Sequence, residues 1–468
     1  MIELTLAGVA RAVGGTLHGD GSARVSGRVT VDSRTLGAGD LFVALPGERV
    51  DGQDFLPEAA RAGAAGALVA RADDALPCVV VADPLAGLGR LAADVHARLT
   101  AGGLRTVGLT GSSGKTSTKD LLGQVLAGAG ATVSPPGSYN NDIGLPLTVL
   151  DADDRTAYLV LEMGARGPGH IARLCALAPP QVGVVLNVGS AHLGEFGSAD
   201  GVAQAKGELV EALPAGGTAV LNADDPRVLG MAARTRARVV TTGRRGDADV
   251  RAADVVLDEQ ARARFTLAAA GERVPVALQV VGEHQVANAL SAAAAALALG
   301  MAPAGVAAGL SAATPRSRWR MEVTRRPDGV TVVNDAYNAN PESMRAALAA
   351  LVGLPGRRRI AVLGGMAELG PGAPAEHERL GRDAAAADLD VILAVGPDAV
   401  GIAHGAVAAG RRAREESVHV PDRTAARELL DGLLRPGDVV LVKASRSHGL
   451  ELLAADLLHG GARDGTGA

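Results

Sequence analysis

The segment Thr110-Gly111-Ser112-Ser113-Gly114-Lys115-Thr116-Ser117 follows the apolar run Val107 to Leu109 and precedes a helical pattern. A glycine-rich turn between strand and helix presents backbone N–H groups to phosphate oxygens, and the helix dipole favours the anion. Lys115 is placed to reach the β- and γ-phosphates of a nucleotide, and the Thr116 hydroxyl suits Mg2+. The match departs from the strict G-x-x-x-x-G-K-[ST] pattern, because Leu109 stands five residues before Gly114 and the glycines fall at Gly108 and Gly111.

Other residues stand where they could complete such a site. Glu162 ends the apolar strand Leu159-Val160-Leu161, where a carboxylate binds Mg2+ directly or through water, or caps a helix. His192 follows the next strand, and a lone histidine there is more often structural than a ligand. Lys206 poses a problem beside a metal, because an ammonium with an ordinary pKa of about 10.4 is repelled by one. His284 and Asn288 are four apart at the start of an Ala-rich helix and share one face. Asn140 and Asn141 can contact a ligand or build a turn. Arg34, next to Ser33, suits a diphosphate but also a surface salt bridge.

The elements that must position these residues follow from periodicity. From residue 101 to about 313, apolar strands alternate with helical segments, which predicts a parallel sheet covered on both faces. Four strands end in polar residues, at Thr110, Glu162, Asn187 and Asn222. Ligands of open α/β sheets gather at the carboxyl ends of strands, so these ends map the site. The stretch Arg264 to Val281 alternates differently and reads as antiparallel strands at one edge. Residues 1–100 form a smaller α/β unit with a helix over Leu4 to Val13, and Ala101-Gly102-Gly103 reads as a linker. Residues 314–468 alternate strand and helix again, which predicts a second, Rossmann-like doubly wound domain.

Composition narrows the class. A chain of 468 residues exceeds one ordinary core, in keeping with this three-domain α/β reading. Its 47% hydrophobic and 21% charged residues are those of a globular protein. Its net charge of −5 gives no sign of a nucleic-acid or anionic-membrane partner. Cys78 and Cys175 have no CxxC pair or ligand cluster around them, and no secretory signal or spanning segment is visible, so a cytoplasmic location is expected.

Taken with Tyr139-Asn140-Asn141-Asp142-Ile143-Gly144-Leu145-Pro146 and Leu161-Glu162-Met163-Gly164, the phosphate loop resembles the central domain of the Mur ligases and their folylpolyglutamate synthetase relatives. The resemblance continues through Asn187 to Leu193, Ala205-Lys206-Gly207-Glu208, Leu221 to Asp225, Gly282-Glu283-His284 and Asn288-Ala289. It includes Asp32-Ser33-Arg34 and Gly47 to Gly52 in the first unit. The run Asn334 to Met344 is similar to the branch that joins D-alanyl-D-alanine to UDP-N-acetylmuramoyl-tripeptide. The Asp-Asn-Pro-Arg motif of diaminopimelate-adding enzymes is not found.

The resemblance implies an ATP-dependent ligase that activates a carboxylate as an acyl-phosphate for attack by an amine, and a monomer is the expected state. It implies Mg2+ at Thr116, Glu162, His192 and an N-carbamylated Lys206, with Lys115, Lys206 and His192 as catalytic groups. It assigns Gly111 to Ser117, His284 and Asn288 to the nucleotide, the last to adenine. It brings Arg320, Asp335, Tyr337 and Asn338 of the third domain to the nucleotide or metal. Asn140 and Asn141 are implied near substrate and phosphate, and Ser33 and Arg34 at the uridine nucleotide. Lys443-Ala444-Ser445-Arg446 resembles the family's Lys-Gly-Ser-Arg, with alanine in place of glycine.

Overall fold

The computed structural model describes residues 1–47, 50–135, 137–189, 196–245 and 247–459. Its three larger sheets follow one another along the chain. The first has five strands in the order Thr16–His18, Cys78–Val80, Gly66–Val69, Leu41–Val43 and Val29–Thr30, parallel except for the first. The helix expected from Leu4 begins at Leu6, because Leu4–Thr5 pairs with Arg24–Val25 and the Thr5 hydroxyl accepts from Gly8 N at 3.1 Å as its N-cap.

The expected linker at 101–103 is a tight turn closing the helix Pro84–Ala101. That helix shares one apolar core with the first sheet and with helices Gly144–Leu150 and His170–Leu177 beneath the central sheet. Burial of Leu88, Leu91, Val95 and Leu99 along one side therefore joins the first unit to the second.

The central sheet has nine strands, with Arg105–Thr110 between Val182–Val185 and Tyr158–Glu162. It is parallel as far as Val250–Leu257, and Arg262–Ala269 and Glu272–Val281 then close one edge antiparallel. The sheet is thus mixed rather than purely parallel, and the distinct alternation after Arg264 marks its edge. On one face, helix Lys115–Ala127 packs against Gln285–Ala298, whose buried alanines at 289 and 292–296 allow close approach. Among the described residues no helix is long and apolar enough to cross a membrane.

The connection to the third sheet is fastened to the phosphate-loop helix. Gln124 bonds Thr314 through both backbone groups, at 2.9 and 3.1 Å, and Asp120 accepts from Ser317 N at 3.1 Å. The third sheet runs Glu322–Arg325, Thr331–Asn334, Asp438–Lys443, Arg358–Gly364, Val391–Val395 and Ser417–Val420, antiparallel only at the first pair. Ala444 is fully buried above Gly364, where an added Cβ would lie 2.6 Å from the Ala444 methyl. The alanine is thus accommodated by a glycine on the neighbouring strand.

Every residue of the strand Asp438–Lys443 is buried. Asp438 accepts from Arg358 at 2.9 and 2.6 Å and from Arg435 N at 2.7 Å. Asp438→Ala leaves these donors without their acceptor and is expected to cost about 3 kcal/mol, seen as a lower urea midpoint for unfolding of this sheet.

Candidate active site

The carboxyl ends of the central strands meet those of the third sheet around a cavity of about 390 Å3. Its walls bring together Ser112, Ser113, Gly114, Lys115, Thr116, Ser117, Asn140, Asn141, Glu162 and Lys206 with Arg320, Tyr337 and Asn338. The loop enters helix Lys115–Ala127 through Gly114, at φ +80°. A Cβ there would come within 2.3 Å of Asn288 Oδ1, so only glycine fits.

Asn187, two residues past the neighbouring strand Val182–Val185, braces the loop. Its Oδ1 accepts from Ser113 N at 2.9 Å, and its Nδ2 donates to Ser113 O at 3.1 Å. The Ser112 hydroxyl accepts from Gly189 N at 2.9 Å. Lys115 folds back to donate to Gly111 O at 2.6 Å. Burial lowers the Lys115 pKa from its ordinary value, opposed by the Glu162 carboxylate and reinforced by the Arg320 guanidinium.

Glu162, 1% exposed, accepts from the Thr116 hydroxyl at 2.9 Å and from Asn140 Nδ2 at 2.7 Å. Because Thr116 donates there, Ser138 Oγ donates to Thr116 Oγ1 across 2.7 Å. Arg320 Nη2 donates to the same two hydroxyl oxygens at 3.3 and 3.4 Å. Among the described residues no group of three His, Cys, Asp or Glu side chains forms a metal cage. One carboxylate with two hydroxyls still fits Mg2+, which takes few protein oxygens and completes its shell with water and phosphate.

Lys206 is 3% exposed and stands in the cavity wall. Burial holds its pKa well below the ordinary value, and the Lys115 charge pushes it the same way. His192 lies outside the described residues.

Four expected nucleotide residues stand behind the walls. Gly111 supplies the carbonyl for Lys115. Asn288 lies under Gly114 and donates to Gln285 Oε1 at 2.8 Å. His284 packs on Gly282, its pKa lowered by burial against the opposing influence of Asp335. Asp335 is tied to Lys443 Nζ at 2.6 Å and accepts from Met321 N at 3.0 Å. Ser33 and Arg34 lie apart from the cavity on the first unit, and Arg34 donates to Asp32 at 2.8 and 2.7 Å.

Sequence reasoning passed over Ser138, Lys119 and Trp319. Lys119 lies one helical turn beyond Lys115, and nothing in that spacing says that it turns inward. It is 1% exposed, donates to Pro135 O and Gly137 O at 2.5 and 3.1 Å, and pairs with Asp120 at 2.6 Å. It thereby holds the backbone that carries Ser138. Lys119→Met is expected to lower kcat roughly tenfold and stability by about 2 kcal/mol, measured by steady-state kinetics and thermal melting.

Three family models match the chain: the Mur ligase family catalytic domain at 27–86, the Mur ligase middle domain at 109–296, and the Mur ligase glutamate ligase domain at 319–446. The UDP-N-acetylmuramoyl-tripeptide–D-alanyl-D-alanine ligase of Mycobacterium bovis is 50% identical, covering 98% of each chain. The ligase of that name from Escherichia coli is 37% identical over 98% of this chain and all of its own. A crystal structure of MurF from Acinetobacter baumannii superposes with a TM-score of 0.88 at 33% identity, covering 98% of this chain and 99% of that one. MurF from Thermotoga maritima in complex with ADP gives 0.79 at 31% identity, covering 94% and 99%. With its phosphate loop, three sheets and full-length likeness to these enzymes, the chain belongs to the Mur ligase family.

Proposed function

We propose that this protein joins D-alanyl-D-alanine to UDP-N-acetylmuramoyl-tripeptide, forming the pentapeptide precursor of peptidoglycan with ADP and phosphate as the other products. The observation that carries the reading is the convergence of Thr116, Ser138, Glu162 and Arg320 beside the phosphate loop, in a chain 50% identical to a ligase of that name.

The tripeptide's terminal carboxylate attacks the γ-phosphorus of ATP, and the bond from that phosphorus to the β,γ-bridging oxygen breaks. Backbone N–H groups of residues 112–116 and the Lys115 ammonium hold the phosphates, while Arg320 neutralises charge that spreads over the transferring group. The dipeptide amine, after losing a proton, attacks the acyl-phosphate carbon. The tetrahedral intermediate then expels phosphate and leaves the amide.

Thr116, Glu162 and Ser138 would hold Mg2+, which supplies charge neutralisation at the phosphoryl oxygens. Lys206 is suited to carbamylation because burial favours its neutral amine. That amine adds to CO2, releases one proton and becomes an anionic oxygen donor. His192 would serve the same metal region. Asn140 and Asn141 would orient the acceptor, His284 and Asn288 the adenine side, and Asp335, Tyr337 and Asn338 the closing third domain. We assign Ser33 and Arg34 to the uridine nucleotide, residues 1–100 to acceptor binding, 101–313 to ATP and 314–468 to closure. A cytoplasmic monomer accords with cytoplasmic ATP and nucleotide-linked substrates.

The test is phosphate release from Mg2+-ATP with the UDP-linked tripeptide and D-alanyl-D-alanine supplied together or singly, and products weighed by mass spectrometry. A pentapeptide formed only with both substrates supports the reading; ATP hydrolysis without an amide product overturns it.

A further inference from the structure

The segment that delivers Arg320 has an unusual backbone. Trp319 has φ +58° and Met321 φ +50°, so two bulky residues flanking the arginine occupy the left-handed region that such side chains rarely adopt. Hydrogen bonds fix the segment in this shape. Trp319 N donates to Glu322 Oε2 at 3.2 Å, Trp319 O accepts from Tyr337 N at 3.3 Å, and Met321 N reaches Asp335 Oδ1 at 3.0 Å.

The side chains form a ladder. The Arg446 guanidinium lies 4.3 Å from the Trp319 ring centroid, and Arg446 is paired with Glu451. The Trp319 ring stacks on Tyr337 at 6.5 Å between centroids and 29° between planes. On Tyr337, in turn, the Arg320 guanidinium lies 4.2 Å from the centroid. Among the described residues Arg320 Nε is buried without a hydrogen-bond partner, so the guanidinium is directed by the ring beneath it and by its two contacts with Thr116 and Ser138. A ring face attracts a guanidinium and sets its plane.

We infer that Trp319 is a positioning residue for phosphoryl transfer: its indole, held against Arg446, fixes the Tyr337 ring and through it the Arg320 guanidinium over Thr116 and Ser138. The inference rests on the reading of this cavity as the ATP site. Trp319 is not among the residues that line the cavity; its contribution is the orientation of a cation that must meet charge only where it develops.

Trp319 is the sole tryptophan of the chain, so its ring can be altered selectively by expression with fluorinated tryptophans. Fluorination withdraws π density with little change of shape, which keeps folding out of the comparison. The expected result is a stepwise fall in kcat with mono-, di- and trifluorotryptophan, with KM for D-alanyl-D-alanine within about twofold. Trp319→Leu should lower kcat roughly tenfold, Trp319→Phe should recover most of the loss, and Trp319→Leu with Arg320→Lys should be no worse than Arg320→Lys alone. A flat fluorination series, or losses that multiply in the double variant, overturns the inference while the ligase reading stands. A wild-type protein that binds no ATP overturns both.

Discussion

Lys206→Ala is expected to lower kcat by roughly a thousandfold or more without destabilising the protein. A 3%-exposed ammonium beside Lys115 is an unfavourable group in the folded state. Its retention calls for a chemical role, and removing it relieves that burden. Lys206→Arg separates two forms of the role. A guanidinium keeps the cation but does not form the carbamate, so it should be as inactive as alanine if an anionic oxygen is required, and partly active if a positive charge suffices.

The pH dependence has a definite sign. The unmodified Lys206 amine has its pKa depressed in the folded state from an ordinary 10.5. Between the depressed value and 10.5 the unfolded chain binds more protons at this residue, so stability rises with pH across that window. Lys206→Ala should remove this component of the slope. Carbamylation needs the neutral amine, so activity should fall in CO2-depleted buffer and return on adding bicarbonate. Thermal melts across pH and kinetics with and without bicarbonate check both statements. Unchanged activity in CO2-free buffer, with an active Lys206→Arg protein, would leave an unmodified cation as the better account.

Glu162→Gln should lower kcat by about a thousandfold while retaining the shape of the site. The carboxylate accepts from Thr116 and Asn140 on its two oxygens. The amide keeps one acceptor oxygen but presents an NH2 group in place of the other, and it carries no charge. The Mg2+ concentration for half-maximal rate should therefore rise together with the fall in kcat. Thermal melting separates this loss from misfolding, and a change in melting temperature without a change in Mg2+ dependence would make Glu162 a structural acceptor instead.

Helix and strand alternation, polar strand ends and the loop from Thr110 to Ser117 were legible because each is a local pattern. A strand's apolar run, a glycine turn and a helix start occupy consecutive residues, so spacing alone predicts a phosphate site there. The antiparallel edge was also foreshadowed by the changed alternation after Arg264. The helix start at Leu6 was not, because it depends on pairing of Leu4–Thr5 with a strand twenty residues away along the chain.

The amino-acid sequence by itself determined which groups were available for phosphate chemistry and at which strand ends they would stand. Tertiary structure decided which of them meet. Thr116, Ser138 and Arg320 converge from three separated segments, and Asn288 lies beneath Gly114 rather than on the cavity wall. Lys119 turns inward to hold the Ser138 loop, and Trp319 takes a left-handed backbone to carry the ring ladder. Those outcomes depend on how two sheets dock and on which buried polar groups must be satisfied together, and these are constraints between residues far apart in the chain.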